Sequence, residues 1–217
     1  MTELLKGPIL EPIEKKVENI IIFLHGYGAN GNDLISIGDL WKNKLKSTLF
    51  LSPNAPFNCE WGGDAYQWFD LTSIAPEKIG EGLNRAGPYL NDYIDHISDF
   101  YKIKNEKIFF VGFSQGTMMA LHHLCKRKKK CAGLLGYSGL LFENKNFDEE
   151  VLSKFPIRLY HGKQDEVINY EFSVKAAKKL ESLGFKIDCE LSELLGHGID
   201  ENGLNFGINF IEKTFNV

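Results

Sequence analysis

Five consecutive large apolar residues, Ile20–Leu24, constrain the fold of this chain more than any other feature of its sequence. Successive side chains of a β-strand point to opposite faces of the sheet. A strand that is apolar at every position therefore has to be covered on both faces, as the central strands of parallel sheets are. The run predicts a buried central strand with helices packed on either side.

The rest of the chain alternates short apolar runs with longer helical stretches, which predicts an α/β fold with a mostly parallel sheet and helices on both faces. The predicted strands are Ile20–Leu24, Thr48–Ser52, Lys107–Phe113, Cys131–Tyr137, Ile157–His161 and Lys186–Ser192. The predicted helices are Asp33–Lys44, Pro88–Tyr101, Gln115–Lys126, Tyr170–Leu183 and Glu201–Phe215. The stretch Ile9–Val17 is expected to add an edge strand, because Pro12 lacks the N–H that a central strand requires.

Length and composition fit a single domain spanning residues 1–217, since one α/β domain often exceeds 200 residues. The formal net charge of −4 argues against nucleic acid as a partner. The first 16 residues lack the apolar core of a secretory signal, and no apolar run is long enough to span a bilayer. We therefore expect a cytoplasmic protein with no stable membrane insertion and with reduced cysteines. The basic run Lys126–Lys130 is interpreted as a solvated helix end.

The segment Pro53–Gly87 resists a regular assignment because it is rich in glycine, proline and aromatic residues. A long irregular loop inside a compact domain is usually functional. We expect this segment to form a wall of the substrate pocket, with Trp68 and Phe69 as the candidate substrate-binding residues. The alternative, that its aromatic side chains only pin the loop to the core, stays open.

The candidate nucleophile is Ser114, in the only G-x-S-x-G pattern of the chain, Gly112–Gly116. An apolar strand precedes it and a helix follows, as expected for a sharp turn that lifts a serine hydroxyl clear of a sheet. The N–H of Gln115 would then lie beside the nucleophile at a helix N-terminus, where it can stabilise an oxyanion. The alternative is a tight glycine turn with an unreactive serine.

A serine hydroxyl needs a neighbouring imidazole to take its proton. Of the six histidines, His197 lies on a glycine-flanked loop between the last predicted strand and the last predicted helix. Asp165 follows the preceding strand and would orient that imidazole. Glu166 is its neighbouring competitor. The order Ser114, Asp165, His197 is the chain order that this class of catalytic site requires.

A glycine-rich loop, His25–Gly31, follows the first central strand and contains a G-x-G-x-x-G pattern. A dinucleotide-binding site is a rival interpretation, but it needs an acidic residue about 20 positions further on. The second strand is followed by Pro53 and Asn54, without a carboxylate. We therefore interpret the loop as the second oxyanion donor and assign that role to the backbone N–H of Tyr27.

Together these motifs resemble the carboxylesterase and acyl-protein thioesterase family of small α/β hydrolases, also called the phospholipase/carboxylesterase family. The resemblance covers nearly the whole chain. Its motifs are Phe23–Gly28 (FLHGYG), Ser52–Pro56 (SPNAP), Trp68–Asp70 (WFD), Gly112–Gly116 (GFSQG), His161–Asp165 (HGKQD) and Gly196–Gly198 (GHG). Two features depart from the family pattern, which are the aromatic Tyr27 after His-Gly and the loop 58–63.

The resemblance implies a single-domain α/β-hydrolase fold without a separate lid domain. It also implies hydrolysis of carboxylic esters or of thioesters on long-chain acylated proteins, or lysophospholipase activity, with no cofactor and no metal. Two alternatives remain open at this point. One is a catalytically idle ligand receptor or interaction module on the same fold. The other is a dienelactone-hydrolase-like activity, although that usually requires a cysteine in place of Ser114. The sequence does not decide between a monomer and a homodimer.

Overall fold

The computed structural model describes residues 2–71 and 76–217, which form a seven-stranded sheet covered by helices on both faces. The strand order is β1-β3-β2-β6-β7-β8-β9, and only β1 runs antiparallel to its neighbour. A separate two-stranded hairpin pairs β4 with β5. The strands are β1 Ile9–Leu10, β2 Asn19–Leu24, β3 Thr48–Leu51, β4 Phe57–Asn58, β5 Tyr66–Gln67, β6 Ile108–Phe113, β7 Gly133–Tyr137, β8 Ile157–Gly162 and β9 Ile187–Ser192.

The helices divide between the two faces of the sheet. The buried side chains of α1 and α6 pack on one face, and those of α2, α3 and α5 pack on the other. The helices are α1 Gly31–Trp41, α2 Pro76–Tyr101, α3 Gln115–His123, α4 Phe147–Glu150, α5 Glu171–Ser182 and α6 Glu201–Phe215. Within residues 108–162 only α3, a short 3-10 turn, β7 and α4 separate β6 from the end of β8, so no lid domain is inserted there.

Strand β2 confirms the prediction from the Ile20–Leu24 run. All six of its residues are buried, and alternate side chains enter different cores. Ile20 and Ile22 pack under α2 and α3, whereas Ile21 and Phe23 pack under α1 and α6. Burial of one such side chain stabilises the fold by roughly 1.5–3 kcal/mol, so the five apolar side chains of this strand together contribute on the order of 10 kcal/mol.

The predicted edge strand is present but shorter than expected. It covers only Ile9 and Leu10, which pair antiparallel with Leu51 and Phe50 of β3. Pro12 follows two residues later and cannot donate to a ladder, which explains why pairing stops before it.

The prediction that the second helix begins at Pro88 is wrong, because α2 begins at Pro76 and contains Pro88 in its interior. Glycine and proline content suggested a loop, but tertiary packing overrides that preference. Glycines in this helix allow close contact with its neighbours: a Cβ on Gly82 would lie 2.4 Å from Phe69, and one on Gly87 would lie 2.4 Å from His123. The irregular segment is therefore shorter than the predicted Pro53–Gly87.

Replacing Pro88 with alanine should stabilise the protein. The proline is exposed, lacks the N–H that would reach the carbonyl of Asn84, and is disfavoured inside a helix relative to alanine by about 3 kcal/mol. We expect Pro88→Ala to raise the free energy of unfolding by about 1–3 kcal/mol in urea denaturation. Asn84→Ala, at an exposed position of the same helix, should change it by less than about 0.5 kcal/mol. A Pro88→Ala protein of unchanged or lower stability would contradict this account of the helix.

Candidate active site

The loops that follow β2, β6, β8 and β9 carry the predicted site residues. In an open parallel sheet these loops meet at the carboxyl edge of the strands, where ligands bind in folds of this kind. The register places the end of β2 beside the end of β6, since Leu24 pairs with Gly112. It likewise places the end of β8 beside that of β9, since Gly162 pairs with Ser192.

Ser114 occupies a strained turn between β6 and α3. Its backbone angles are φ 52° and ψ −116°, a region that costs a non-glycine residue about 1–3 kcal/mol. Its N–H donates to the carbonyl of Tyr137, and its own carbonyl accepts from Met118 N–H in the first turn of α3. Such strain persists only where surrounding contacts impose it, and it lifts the side chain above the end of the sheet.

The two glycines of the G-x-S-x-G pattern are required by close packing. A Cβ on Gly116 would lie 1.9 Å from the carbonyl oxygen of Leu24, and one on Gly112 would lie 2.7 Å from the backbone nitrogen of Thr117. Helix α3 therefore starts directly against β2 and β6. This proximity brings the N-terminus of α3, with its unpaired N–H groups, beside the loop after β2.

The loop after β2 is fixed by the buried imidazole of His25. Its Nε2 accepts from Ala55 N–H at 2.9 Å, so Nδ1 carries the proton and donates to the Gly26 carbonyl at 2.7 Å. Burial lowers the pKa of His25, which keeps this ring neutral. The loop also approaches the nucleophile closely, because a Cβ on Gly26 would lie 3.4 Å from Cβ of Ser114. Tyr27 follows this contact and is half-buried.

The Gln115 side chain connects the nucleophile turn to the irregular segment. Its Oε1 accepts from Trp68 N–H at 2.8 Å, and its Nε2 donates to the Phe69 carbonyl at 2.7 Å. The Trp68 indole in turn donates to the His25 carbonyl at 3.0 Å. One glutamine and one indole thus join the turn, the irregular segment and the loop after β2.

Trp68 and Phe69, the predicted substrate-binding residues, are almost fully buried, with exposed fractions of 0% and 2%. Trp68 therefore offers no surface to a substrate, whereas Phe69 lines a cavity of about 530 Å³ together with Phe57 and Gln67. Both belong to the core under α2 and α3. The alternative interpretation, that aromatic residues pin this segment to the core, describes these two residues. Trp61 differs, because it is 62% exposed and meets Tyr27 edge-on at 5.4 Å between ring centroids.

Asp165 and His197 meet across the loops after β8 and β9. Nδ1 of His197 donates to Oδ2 of Asp165 at 2.7 Å, and Oδ1 accepts from the N–H groups of Val167 and Ile168. Burial raises the pKa of Asp165, but the hydrogen bond from Ile168 N–H, then those from His197 and Val167 N–H, outweigh burial and hold the pKa below its ordinary value. The carboxylate is therefore ionised.

The imidazole of His197 points its second nitrogen away from Asp165, because the two ring nitrogens lie on different sides of the ring. Its ring packs 5.0 Å from the ring of Phe113, the residue before Ser114. The structure thus brings Ser114, Asp165 and His197 to one edge of the sheet. Glu166, the competing carboxylate, is exposed.

The loop after β8, which carries Asp165, contacts the loop after β9, which carries His197. Gln164 N–H donates to the Leu195 carbonyl at 3.0 Å, and a Cβ on Gly162 would lie 2.1 Å from that same oxygen. Asp200 caps α6 by accepting from Gly203 N–H, and it also accepts from the hydroxyl of Tyr160 on β8 at 2.9 Å. These contacts fix where the imidazole of His197 enters the site.

An apolar groove of about 570 Å³ begins at the loop after β2 and runs along α1. Apolar side chains of α1 recur along it at the spacing of one helix face, and the segment after His197 forms the opposite wall. We call this the α1 groove. It is lined by His25–Ala29, Asp33, Leu34, Ser36, Ile37, Leu40, Phe113, Gly198, Ile199 and Leu204.

Residues 2–71 and 76–217 contain no group of His, Cys, Asp and Glu side chains arranged to hold a metal ion. Among those same residues, no helix is long and apolar enough to cross a bilayer. The imidazole of His122 is buried against the Phe142 carbonyl and that of His123 against the Leu83 carbonyl of α2, and burial lowers their pKa values to about 4 and about 3.

Sequence reasoning missed two side chains that contact this site, His161 and Ser173. His161 begins the His161–Asp165 motif but has no role assigned from the sequence, and its imidazole contacts the carboxylate of Asp165. The signal was its position four residues before the acid, on the same strand-to-loop turn. Ser173 lies on α5, and nothing in its local sequence indicates that it reaches His161.

A mostly parallel sheet with helices on both faces and a strained serine between a central strand and a helix defines the protein as a serine hydrolase of the α/β-hydrolase class. The chain belongs to the phospholipase/carboxylesterase family, whose sequence profile matches residues 6–215.

Similarity to individual proteins supports the same family. A Neurospora crassa protein named acyl-protein thioesterase 1 is 28% identical over 209 residues, covering 88% of this chain and 85% of that protein. The acyl-protein thioesterase 1 of Schizosaccharomyces pombe is 30% identical, covering 83% of each chain. The crystal structure of esterase PE8 superposes with a TM-score of 0.93 at 31% identity, covering 97% of this chain and 99% of that one. The protein is a carboxylic ester hydrolase.

Removing the amide of Gln115 should destabilise the fold. Gln115→Met keeps the length of the side chain but leaves Trp68 N–H and the Phe69 carbonyl without their buried partner. Each unsatisfied group costs roughly 1–3 kcal/mol, so we expect urea denaturation to show a loss of about 2–4 kcal/mol. Gln164→Met, at an exposed position, serves as the control and should stay within about 0.5 kcal/mol of the wild type. Equal stability of the two variants would contradict the role of Gln115.

Proposed function

We propose that this protein hydrolyses carboxylic esters or thioesters of apolar acyl groups through a Ser114–His197–Asp165 triad and an acyl-enzyme. The observation that carries the proposal is the 2.7 Å contact of His197 Nδ1 with an ionised Asp165, on the same sheet edge as the strained Ser114. A carboxylate in this position fixes the tautomer of the imidazole and stabilises its protonated form. The other nitrogen, Nε2, is then available to take the serine proton.

The reaction proceeds in two halves. In the first, Nε2 of His197 accepts the Ser114 proton while the serine oxygen attacks the acyl carbonyl. The imidazolium then protonates the leaving alcohol or thiol, and an acyl-Ser114 ester remains. In the second half His197 takes a proton from water, the resulting hydroxide attacks that ester, and the proton returns to Ser114 as the acid leaves.

Two backbone N–H groups, those of Gln115 and Tyr27, stabilise the oxyanion of each tetrahedral intermediate. Gln115 lies in the first turn of α3, where N–H groups have no partner inside the helix and the helix dipole favours negative charge. Tyr27 follows Gly26, whose backbone lies against the nucleophile. Loss of one such donor typically lowers kcat by about 10²–10³.

The acyl chain of the substrate occupies the α1 groove. The groove begins at Gly26 and Tyr27, beside the position of the acyl carbonyl, so the chain attached to that carbonyl can enter it directly. From Asp33 to Leu40 the groove follows α1 for about 10 Å, at 1.5 Å per residue. Its apolar floor suits an extended hydrocarbon chain. Val167 and Leu194, both more than two-thirds exposed, lie on the neighbouring loops and suit an apolar or lipid-modified substrate.

The proposal also includes the compartment and the substrate partners. The four cysteines are unpaired, which supports a reducing compartment such as the cytoplasm. The substrate partners are esters or acylated proteins, as the names of the relatives suggest. Whether the working form is a monomer or a homodimer is decided by sedimentation velocity.

Ester hydrolysis should depend on Ser114. With a p-nitrophenyl ester series from acetyl to decanoyl, Ser114→Ala should lower kcat by at least about 10⁴-fold, because the acyl-enzyme cannot form. Ser182→Ala removes an exposed hydroxyl at the end of α5 and should retain wild-type rates. A folded wild-type protein inactive on every ester, or a Ser114→Ala variant as active as the wild type, would overturn the proposal. Inactivity together with tight ligand binding would favour a receptor.

A charge at the far end of the α1 groove should reduce activity only on long acyl chains. We expect Leu40→Glu to lower kcat/KM for the decanoyl ester by about 10-fold, the equivalent of about 1.4 kcal/mol of lost apolar contact, and to leave the acetyl ester unchanged. Asn43→Glu adds the same charge two residues beyond α1, outside the groove, and is the matched control. An equal loss on both esters would show that the acyl chain does not lie along α1.

A further inference from the structure

A second histidine contacts the carboxylate of Asp165. The side chain of His161, at the end of β8, is 0% exposed, and its Nε2 lies 3.0 Å from Oδ2 of Asp165. This is the same oxygen that accepts from His197 Nδ1 at 2.7 Å. Oδ2 is therefore shared between two imidazoles, one partly exposed in the active site and one in the interior.

The surroundings of His161 determine where its proton lies. Besides Asp165, its Nε2 faces the Ile168 carbonyl at 2.9 Å, and neither oxygen can donate a hydrogen bond. Nε2 must therefore carry a proton. Nδ1 lies 2.7 Å from Oγ of Ser173, whose single hydroxyl hydrogen can go either to Nδ1 or to the Gly139 carbonyl at 3.0 Å. Burial lowers the pKa of His161 more than the Ile168 carbonyl and Asp165 raise it, which favours the neutral ring.

We propose that His161 is a positioning residue of the active site, which holds Asp165 through its Nε2–H and limits how strongly that carboxylate attracts the proton of His197. The proposal rests on the proposed function, in which His197 is the general base. The two acceptors at Nε2, which are Asp165 Oδ2 and the Ile168 carbonyl, fix a proton on that nitrogen, and Ser173 contacts the ring at Nδ1. The line of contacts is Ser173, His161, Asp165 and His197.

The hydrogen bond from His161 to Oδ2 of Asp165 affects the basicity of the site. The Nε2–H of His161 stabilises the negative charge on Oδ2, and the carboxylate therefore stabilises the His197 imidazolium less strongly. The donor from His161 is therefore expected to keep the acid limb of the pH profile of kcat/KM at lower pH. The titratable groups that contact the Asp165 carboxylate are His161 and His197, since Lys163 pairs at the surface with Glu193.

Two amide substitutions at this position separate the contacts. The amide of Gln reaches the place of Nε2, so His161→Gln retains a donor to Asp165 and loses the contact to Ser173. The amide of Asn reaches only the place of Nδ1, so His161→Asn retains the Ser173 contact and loses Asp165. Both variants bury an uncharged amide, and they differ mainly in whether the contact with Asp165 or the contact with Ser173 is retained.

The measurement is kcat/KM of a p-nitrophenyl ester against pH, whose acid limb reports protonation of the essential base in the free enzyme. We expect the acid limb of His161→Asn to move to higher pH by about one unit, as loss of one hydrogen bond to a charged group would produce. His161→Gln should keep the limb of the wild type. Ser173→Ala, which weakens the donor without removing it, should move the limb in the same direction by less than His161→Asn.

A purely structural role predicts another pattern, in which the variants lose activity while the acid limb stays in place. That result, or an equal shift in His161→Asn and His161→Gln, would overturn the proposal. If either amide variant fails to fold by circular dichroism, the Ser173→Ala limb decides: a shift supports the proposal and an unmoved limb overturns it. Failure of the proposed function appears separately, as wild-type hydrolysis that does not require Ser114.

Discussion

The geometry of the candidate active site depends on the hydrogen bonds that the carboxylate of Asp165 accepts. It lies in the interior, where an ionised group survives only with full hydrogen bonding. Two backbone N–H groups of its own loop and two imidazoles supply that bonding. Because each donor comes from a fixed part of the fold, the carboxylate can hold His197 in one tautomer and one orientation. Any change that leaves it with fewer donors alters both the stability of the loop and the basicity of the site.

Parallel strands make this arrangement possible. The carboxyl ends of β2, β6, β8 and β9 lie at one edge, so four loops far apart in sequence converge there. Glycines near the ends of these strands allow backbones to approach within contact distance, as Gly162 does at Leu195 and as Gly116, in the first turn of α3, does at Leu24. The strained turn at Ser114 is stable because α3 is held between two strands and by the amide of Gln115. Close backbone packing where the loops leave the sheet thus fixes the positions of the site residues that the loops carry.

Much of this architecture could be predicted from sequence, because it is encoded locally. Apolar runs located six strands, and the glycine spacing around Ser114 located the turn, since only glycine fits against Leu24. Contacts between distant segments could not be read in the same way. The Pro88 position suggested a helix start, yet the packing of Gly82 on Phe69 extends α2 twelve residues earlier. Trp68 and Phe69 were expected in a pocket wall, but the Gln115 amide hydrogen-bonds to their backbone and their side chains pack in the core.

His161 shows the same limit within the site. Its local sequence describes a strand end, and only the tertiary structure reveals that its Nε2 reaches the carboxylate of a residue four positions later. Ser173 is still less visible, because it approaches from a helix that follows the acid loop. Local sequence patterns therefore indicate candidate reacting groups, whereas the side chains that position those groups are visible only in the tertiary structure.

The most direct test of the account is mass spectrometry of the protein quenched in acid during turnover of a p-nitrophenyl ester. The account predicts a covalent adduct with the mass of one acyl group, located on the peptide that contains Ser114. That adduct should decay as the acid product appears. Turnover with no acylated peptide, or with the acyl group on a residue other than Ser114, would contradict an acyl-enzyme formed at this serine.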